Sequence, residues 1–467
     1  MKALINFQQK LVAQNRKEYG VLYDQLKKPS YYGAIEADEK RSQLIDEIEG
    51  KAGYLFNGTK PFAHAVSPGC RLCGEGHWSC LFVNNRCNCN CFYCPAPQVD
   101  TAIPETQGLT FDTPENYIAY IKKMGFKGVA LSGGEPLLTF DKTIDFLAKI
   151  KKEFGSSVYV WMYTNGTLLD EEKATILAKT GLDEIRFDLT ATDYNTKKLK
   201  LALGKIPNVT VEIPAIPEEI EQLKNMVVEL DSLGVNYLNL HQIRLTPYNL
   251  KNLLNRNYTF LHGHRVTVLE SELAALEIIS FVFKQGLKLP VNYCSFHYKN
   301  HYQKAAFRKK AAQFVLHGQE EINENGFIRS LSLHGISVPI ESLKTQLLNI
   351  APDGEGWLVS EENDQIFLTS DVLLKMQLTN EPVFVEYQTA VANEKPLNEG
   401  IKLKLTDTKT IFFAKETSAA PIRIDADESA GFFEILQGRL PKEAMDYENL
   451  FNIALKEIPA KGFVEYF

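Results

Sequence analysis

The chain has 467 residues, of which 45% are hydrophobic and 23% charged, the usual balance of a globular protein with two or three domains. Lys and Arg number 51 against 58 Asp and Glu, giving a formal net charge of −7 that argues against broad electrostatic binding to nucleic acid or an anionic membrane. No apolar run approaches the roughly 20 residues that span a bilayer, and the start has no signal-peptide pattern, so we expect a cytoplasmic protein.

The predicted elements fall into three regions along the chain. Residues 1–66 are polar, carry apolar residues at helical spacing, and predict a helical N-terminal segment. Between about residues 78 and 293, short β-rich runs alternate with helical stretches in six β–α units, which predicts a parallel sheet. Residues 313–467 contain short strands separated by turns and predict a mostly β C-terminal domain.

Six β–α units are too few for a closed eight-stranded barrel. We therefore predict an α/β fold whose centre is an open or partial (β/α)6 barrel within residues 67–312, entered through a cysteine-rich segment. In either parallel architecture the chemistry is expected at the carboxyl ends of the strands.

The cysteines are clustered rather than dispersed. Seven of the eight lie within 25 residues, and only Cys294 lies elsewhere. In a large chain without an export signal, clustered thiols indicate a metal rather than a disulfide framework. The seven are Cys70, Cys73, Cys80, Cys87, Cys89, Cys91 and Cys94.

The densest part of this cluster has the spacing Cys-x3-Cys-x2-Cys, formed by Cys87, Cys91 and Cys94. Three thiolates on a short loop can hold three irons of a cubane cluster, leaving the fourth iron open for a substrate or cofactor. A structural zinc site would instead use four ligands, usually as two separated pairs. The loop directly follows the first predicted strand, where a catalytic loop belongs.

Three separate elements together resemble the radical S-adenosylmethionine (SAM) enzymes. The first is the cysteine triad, with Tyr93 before its last member, and the other two follow the second and third predicted strands. Those two are Ser132-Gly133-Gly134-Glu135-Pro136 and Tyr163-Thr164-Asn165-Gly166. The resemblance covers about residues 80–293 and implies a 4Fe-4S cluster on Cys87, Cys91 and Cys94, with SAM bound beside it.

The resemblance also implies which residues contact SAM. Glycines at 133 and 134 would let the backbone approach the cofactor, and Glu135 would pair with its ammonium group. The implied SAM-binding set is Tyr93, Ser132, Gly133, Gly134, Glu135, Thr164, Asn165, Asp188 and His241.

Within this superfamily, the chain is nearest to the branch that contains the glycyl-radical activating enzymes. In that branch an Asp-Leu-Lys stretch follows the fourth strand and a histidine follows the sixth. Asp188 and His241 match, but Thr190 replaces the lysine, and His241 could instead be a packed core residue. The activating enzymes also tend to be shorter than this chain, and some carry a ferredoxin-like insertion that this sequence lacks.

Cys70, Cys73 and Cys294 do not belong to the Cys87, Cys91 and Cys94 triad. With glycines on both sides of the Cys70–Cys73 pair, they could bind a second iron–sulfur cluster or a zinc ion. They could equally be redox-active or substrate-bonding thiols, or inert residues. Cys80 lies on the first strand and fits a small buried residue, and Cys89 is expected to be a bystander.

The resemblance implies an enzyme that reductively cleaves SAM to a 5′-deoxyadenosyl radical, which abstracts hydrogen from a substrate. It also implies a flavodoxin or ferredoxin-type electron donor. The substrate stays open between a peptide, a protein and a small molecule, because fold and cofactor do not fix it. Two alternatives remain: a glycyl-radical activase of a partner protein, and a non-catalytic iron–sulfur or zinc-binding module. The acidic balance disfavours RNA modification.

Overall fold

A computed structural model describes residues 2–99, 103–360, 364–378, 380–396 and 400–467. The chain divides into two compact units, one of Lys10–Gln303 with Lys461–Phe467 and the other of Met1–Gln9 with Lys304–Ala460. The three-part division at residues 66/67 and 312/313 stays a prediction. Within the described ranges, no helix is both long and apolar enough to span a bilayer.

The first 74 residues contain more than the predicted helices. Two long helices are followed by a short hairpin and a third helix that carries Cys70 and Cys73. The elements are α1 (Lys2–Tyr19), α2 (Tyr31–Ile48), β1 (Gly53–Leu55), β2 (Lys60–Ala63) and α3 (Pro68–Gly74). The hairpin was missed because its strands have only three and four residues, too few to show a two-residue repeat.

The predicted alternation of strands and helices is confirmed in the region that follows. Its elements are β3 (Trp78–Asn84), β4 (Glu105–Thr106), β5 (Leu109–Thr110), α4 (Pro114–Met124), β6 (Gly128–Gly133), α5 (Phe140–Phe154), β7 (Tyr159–Thr164), α6 (Glu171–Thr180), β8 (Glu184–Phe187), β9 (Asn208–Pro214), α7 (Ile220–Leu233), β10 (Tyr237–His241), α8 (Leu250–Leu254), β11 (Phe260–Leu261), β12 (Thr267–Val268), α9 (Leu269–Lys284), β13 (Val291–Cys294) and α10 (Phe296–Tyr298). The segment predicted to be helical over residues 195–203 forms only a short 3-10 turn, Leu199–Leu201.

Apart from β11 and β12, which pair with each other, the described strands of this unit form an open sheet in the order β1-β2-β13-β10-β9-β8-β7-β6-β3-β4-β5. Its central strands, from β3 to β13, are all parallel. The strand ending at Cys294 therefore extends the parallel part to a seventh strand, and the β1–β2 hairpin pairs with it antiparallel. The partial barrel is confirmed.

Local signals set the helix boundaries. Thr113 caps α4 by accepting from the Asn116 amide, and the helix ends at Gly125 with φ +64°. Asp170 caps α6 in the same way, and Gly181 ends it in the left-handed region. Side-chain caps and left-handed glycines satisfy the terminal backbone groups of a helix, so these residues fix where α4 and α6 begin and end.

The second unit is built on an antiparallel sheet, as predicted for a mostly β C-terminal domain. Its described strands run in the order β16-β17-β15-β18-β20-β19, with β14 beside β15 and β21 beside β18. The elements are α11 (Lys304–Ala312), β14 (Glu321–Ile322), β15 (Ile328–Leu333), α12 (Ile340–Ile350), β16 (Trp357–Ser360), β17 (Gln365–Leu368), α13 (Ser370–Leu373), β18 (Val383–Asn393), β19 (Ile401–Lys404), β20 (Thr410–Thr417), β21 (Ile422–Ile424), α14 (Ser429–Leu436) and α15 (Glu448–Glu457).

Candidate functional site

The cysteine loop begins where β3 ends, at the carboxyl edge of the parallel strands. Described residues 85–99 form turns and extended chain rather than a helix or strand. The side chains of Cys87, Cys91 and Cys94 are partly exposed, and the Cys94 amide donates to the Cys91 carbonyl at 3.1 Å. A loop of this kind can turn several thiols toward one bound group.

Nitrogen donors surround the sulfurs of the triad. The Cys89 amide lies 3.4 Å from Cys87 Sγ, and Gln98 Nε2 lies 3.5 Å from Cys94 Sγ. Burial raises the pKa of the Cys91 thiol to about 12, so its proton must leave when the sulfur binds a metal. Hydrogen bonds to sulfur are a means of tuning iron–sulfur clusters, so this donor set fits such a group.

Within the part of the chain that the structure describes, no three His, Cys, Asp or Glu side chains are arranged to hold a single metal ion. A cubane cluster makes a different demand, because each thiolate binds a different iron. The three sulfurs of such a site need not converge on one point.

At Gly133 and Gly134, the end of β6 packs against the beginning of the cysteine loop. The Gly134 amide donates to the Asn84 carbonyl at 3.0 Å, and the Glu135 amide donates to the Arg86 carbonyl at 2.7 Å. A Cβ would lie 1.9 Å from Asn84 O at Gly133 and 1.8 Å from Arg86 O at Gly134. The two glycines therefore allow the loop backbone to pack directly on the strand end.

Glu135 is fully buried and its carboxylate is occupied by donors from its own chain. It accepts from the Leu137 amide at 2.9 Å, the Thr164 hydroxyl at 2.8 Å and the Asn165 amide at 2.7 Å. Burial raises its pKa, although these hydrogen bonds oppose the shift. The carboxylate thus fastens the end of β6 to the end of β7, and its pairing with a SAM ammonium stays a prediction.

Asn165 extends this connection to the cysteine loop. Its Nδ2 donates to Asn88 Oδ1 at 2.8 Å and lies 3.7 Å from Cys87 Sγ, while its Oδ1 accepts from the Thr167 amide at 3.0 Å. The three sequence elements that suggested the family are therefore joined by direct contacts.

Tyr93 reaches from the cysteine loop to the end of β8. Its hydroxyl contacts Asp188 Oδ2 at 2.9 Å, and Thr190 donates to Asp188 Oδ1 at 2.5 Å. Burial raises the pKa of Asp188 despite these hydrogen bonds. The threonine that replaces the branch's lysine thus donates a hydrogen bond to the Asp188 carboxylate, without supplying a positive charge.

His241 lies at the end of β10, and both of its ring nitrogens are engaged. Lys299 Nζ lies 2.7 Å from Nδ1, and Glu212 Oε1 lies 2.5 Å from Nε2. Because an ammonium can only donate, Nδ1 accepts and Nε2 carries the hydrogen toward Glu212. Burial lowers the pKa of His241, and Lys299 lowers it further, which favours this neutral form.

Arg186 organises the buried polar centre of the barrel. Its guanidinium pairs with Glu184 at 2.8 Å and with Glu212 at 2.6 Å, and it donates to Ser67 Oγ at 3.0 Å. Burial alone would raise the pKa of Glu212, but Arg186 and then His241 hold it well below the ordinary value. A Cβ at Gly69 would lie 2.3 Å from Arg186 Nη2, so this glycine provides room for the ion pair.

The leftover cysteines meet beside this centre. Cys70 and Cys73 lie on α3, and Cys294 ends β13. Burial, then Cys294 and Cys70, raise the pKa of the Cys73 thiol, so the three sulfurs are electrostatic neighbours. The structure thus brings together the thiols that the sequence suggested for a second metal, and the metal itself stays a prediction.

Sequence reasoning missed the two lysines of this region. Lys60 is fully buried with its Nζ 2.6 Å from Cys294 Sγ, and Lys299 contacts His241. Lys60 begins a four-residue strand in a segment predicted to be helical, so no periodic signal could have placed it. Of the remaining cysteines, Cys80 is partly exposed rather than fully buried as expected, because it alternates with the buried residues of β3, and Cys89 contributes its amide to Cys87.

Comparison with known proteins gives consistent results. A family model described as the radical SAM superfamily matches residues 81–206. A curated Methanocaldococcus jannaschii protein, named as a candidate glycyl-radical enzyme activating enzyme, is 30% identical over 284 residues, covering 58% of this chain and 73% of that protein. GTP 3′,8-cyclase of Rhodopirellula baltica is 30% identical over 173 residues, covering 37% of this chain and 45% of the cyclase.

Solved structures of radical SAM proteins also align with the chain. Streptococcus suis SuiB bound to the precursor peptide SuiA aligns with a TM-score of 0.37 and 14% identity, covering 64% of each chain. With S-adenosylmethionine bound, the same protein aligns with a TM-score of 0.35 and 16% identity, covering 53% of this chain and 58% of that one.

At 30% identity, the alignment covers 73% of the Methanocaldococcus jannaschii protein, and the radical SAM family model matches residues 81–206. These two matches identify the family. The residues matched by the family model include the cysteine loop that the glycines and Glu135 hold against the sheet. This chain belongs to the radical SAM superfamily.

Proposed function

We propose that Cys87, Cys91 and Cys94 hold a 4Fe-4S cluster and that SAM binds beside it at the carboxyl edge of the sheet. The observation that carries this proposal is the set of contacts joining the cysteine loop to Gly134, Glu135 and Asn165. When bound, the reduced cluster supplies the electron that splits SAM and yields a 5′-deoxyadenosyl radical, which takes hydrogen from the substrate.

The chain's own residues position these groups. Gly133 and Gly134 allow the loop to lie against β6, and Glu135 and Asn165 fix the neighbouring strand ends. The Tyr93 hydroxyl donates to Asp188 and so joins the cysteine loop to the end of β8, and we include both residues in the SAM-contacting set. Ser132, Thr164 and His241 complete the SAM-contacting set that we propose. A flavodoxin or ferredoxin-type protein would deliver the electron.

Metal analysis and product analysis after anaerobic reconstitution test this function. Wild-type protein with dithionite and SAM should contain iron and sulfide and release 5′-deoxyadenosine. Replacing Cys87, Cys91 and Cys94 together by alanine should reduce 5′-deoxyadenosine to background, whereas Cys89→Ala, the matched control within the same loop, should retain it. Undiminished product from the triple variant would overturn the assignment of the cysteines.

The substrate class is proposed only as a peptide, protein or small molecule. Similarity to a protein named for activating glycyl-radical enzymes favours a second candidate, an activase acting on a partner protein. An activase would leave a glycyl radical in its partner, visible as an electron paramagnetic resonance (EPR) doublet after the reaction. A small-molecule enzyme would leave no lasting protein radical.

Membership in a superfamily of enzymes favours catalysis over a non-catalytic iron–sulfur or zinc-binding module. Calorimetric titration of the reconstituted protein with SAM separates these functions. An enzyme of this class should bind SAM, and a structural metal module should not.

A further inference from the structure

A second group of thiols occupies a buried position away from the cysteine loop. Cys70 and Cys73 are three residues apart on α3 and therefore lie on the same helix face. Cys294 ends β13, more than two hundred residues away in sequence, and its Sγ lies 2.6 Å from Lys60 Nζ, which also lies 4.7 Å from the centre of the Tyr298 ring. Cys70 is 5% exposed and Cys294 is 7% exposed.

Each sulfur of this group has its own nitrogen donor. Lys60 Nζ lies 2.6 Å from Cys294 Sγ, and Gln303 Nε2 lies 2.9 Å from Cys73 Sγ. Arg186 Nη1 lies 3.8 Å from Cys70 Sγ. Neutral thiols are weak acceptors, whereas thiolates are strong ones, so two cations and an amide suit deprotonated sulfur.

Tyr298 is a further donor beside these sulfurs. It is 1% exposed, and its hydroxyl is buried. The Cys73 thiol lies within hydrogen-bonding reach of that hydroxyl, and Cys294 and Cys70 are its further ionisable neighbours. A neutral thiol is a weak acceptor, so a thiolate would satisfy the buried hydroxyl better.

The charges around these thiols also favour a bound group that makes them thiolates. Among the described residues, Arg186 pairs with two carboxylates, but no carboxylate pairs with Lys60, which contacts Cys294 Sγ and the Tyr298 ring at 4.7 Å. Burying an ammonium without a counter-charge is unfavourable. A group that converts the neighbouring thiols to thiolates would supply that negative charge.

We propose that Cys70, Cys73 and Cys294 bind a second iron–sulfur cluster in the barrel, with Lys60 positioned to donate to the Cys294 thiolate. Each thiol releases its proton to solvent as its sulfur binds an iron, and each sulfur binds a different iron. Tyr298 then gains a stronger acceptor in the cluster or its sulfurs. This site does not depend on the cluster assigned to Cys87, Cys91 and Cys94.

Iron and sulfide analysis of two triple variants separates the sites. Replacing Cys87, Cys91 and Cys94 by alanine should leave half of the wild-type iron and sulfide and an EPR signal from the remaining cluster. Replacing Cys70, Cys73 and Cys294 should also halve the iron. The sextuple variant should contain none, and Cys80→Ala, which removes a thiol of β3 outside the group, should retain the wild-type content.

The first triple variant decides the question even if the second does not fold. Loss of all iron and sulfide from it, or zinc in place of iron, would overturn the proposal. If this variant retains iron and the wild-type protein forms no 5′-deoxyadenosine, the second cluster is supported and the proposed function is contradicted.

Lys60→Met provides a readout that a purely structural role would not change. Removing the cation beside Cys294 should lower the reduction potential of the remaining cluster, measured by EPR redox titration in the background that lacks Cys87, Cys91 and Cys94. Lys60→Arg should restore it. An unchanged potential in Lys60→Met would show that the lysine does not face the cluster.

Discussion

At the scale of single residues, Glu135 shows how a motif residue can serve the protein before it serves a ligand. Its carboxylate accepts from three chain donors and is fully buried. The sequence identified the residue through its family motif. It could not show that the acceptor positions are occupied, because the donors Thr164 and Asn165 belong to another strand.

Glu135→Gln should therefore weaken both the fold and SAM binding. An amide has one oxygen where the carboxylate has two, so a buried N–H or O–H donor would face another donor, at a cost of about 1–3 kcal/mol. Thermal unfolding should show a lower Tm, and calorimetry a weaker affinity for SAM. Glu172→Gln, on the exposed face of α6, is the control; an equal loss there would contradict the argument.

At the scale of elements, the sequence predicted the parallel strands well because their order depends on local alternation of strand and helix signals. The pairing of β2 with β13 was harder, since it joins residues far apart in the chain. The residues of the candidate site also fall into those with a local sequence signal and those that meet only through folding. The cysteine triad is local and was recognised, whereas Lys60 and Lys299 approach Cys294 and His241 only after folding.

The contact between the end of β6 and the cysteine loop predicts the effect of Gly134→Ala. Its Cβ would lie 1.8 Å from the Arg86 carbonyl oxygen, so the loop must move. Iron bound at the triad should fall severalfold, measured in the background that lacks Cys70, Cys73 and Cys294. Gly125→Ala is the control: it has φ +64° and open space, so it should cost about 1–2 kcal/mol of stability without losing iron.

At the scale of the whole molecule, each compact unit includes residues from both ends of the chain. In the unit that contains the parallel sheet, the Tyr466 hydroxyl donates to the buried Glu272 at 2.7 Å, and Arg41 donates to the Val464 carbonyl at 2.7 Å. Contacts between residues so far apart in the chain leave no signal in amino-acid composition or hydrophobic periodicity. This is why the sequence predicted consecutive domains.

Removing residues 461–467 should destabilise the unit that contains the parallel sheet more than the other unit. Glu272 and Arg41 would lose buried partners, and a lost hydrogen bond to a charged group costs about 1.5–3 kcal/mol. Hydrogen exchange should accelerate in α2 and α9, while β15 and β18 keep their protection. Tyr466→Phe should show part of this effect, and Lys461→Ala, an exposed position, should show none.

The contribution of residues 461–467 also sets an order of events on the ribosome. The parallel strands emerge early, but residues 304–460 must be translated before the segment that completes their unit exists. At about 5–20 residues per second, this delay is on the order of ten seconds or more. The cysteines of the parallel-sheet unit therefore emerge well before the final packing of that unit can form.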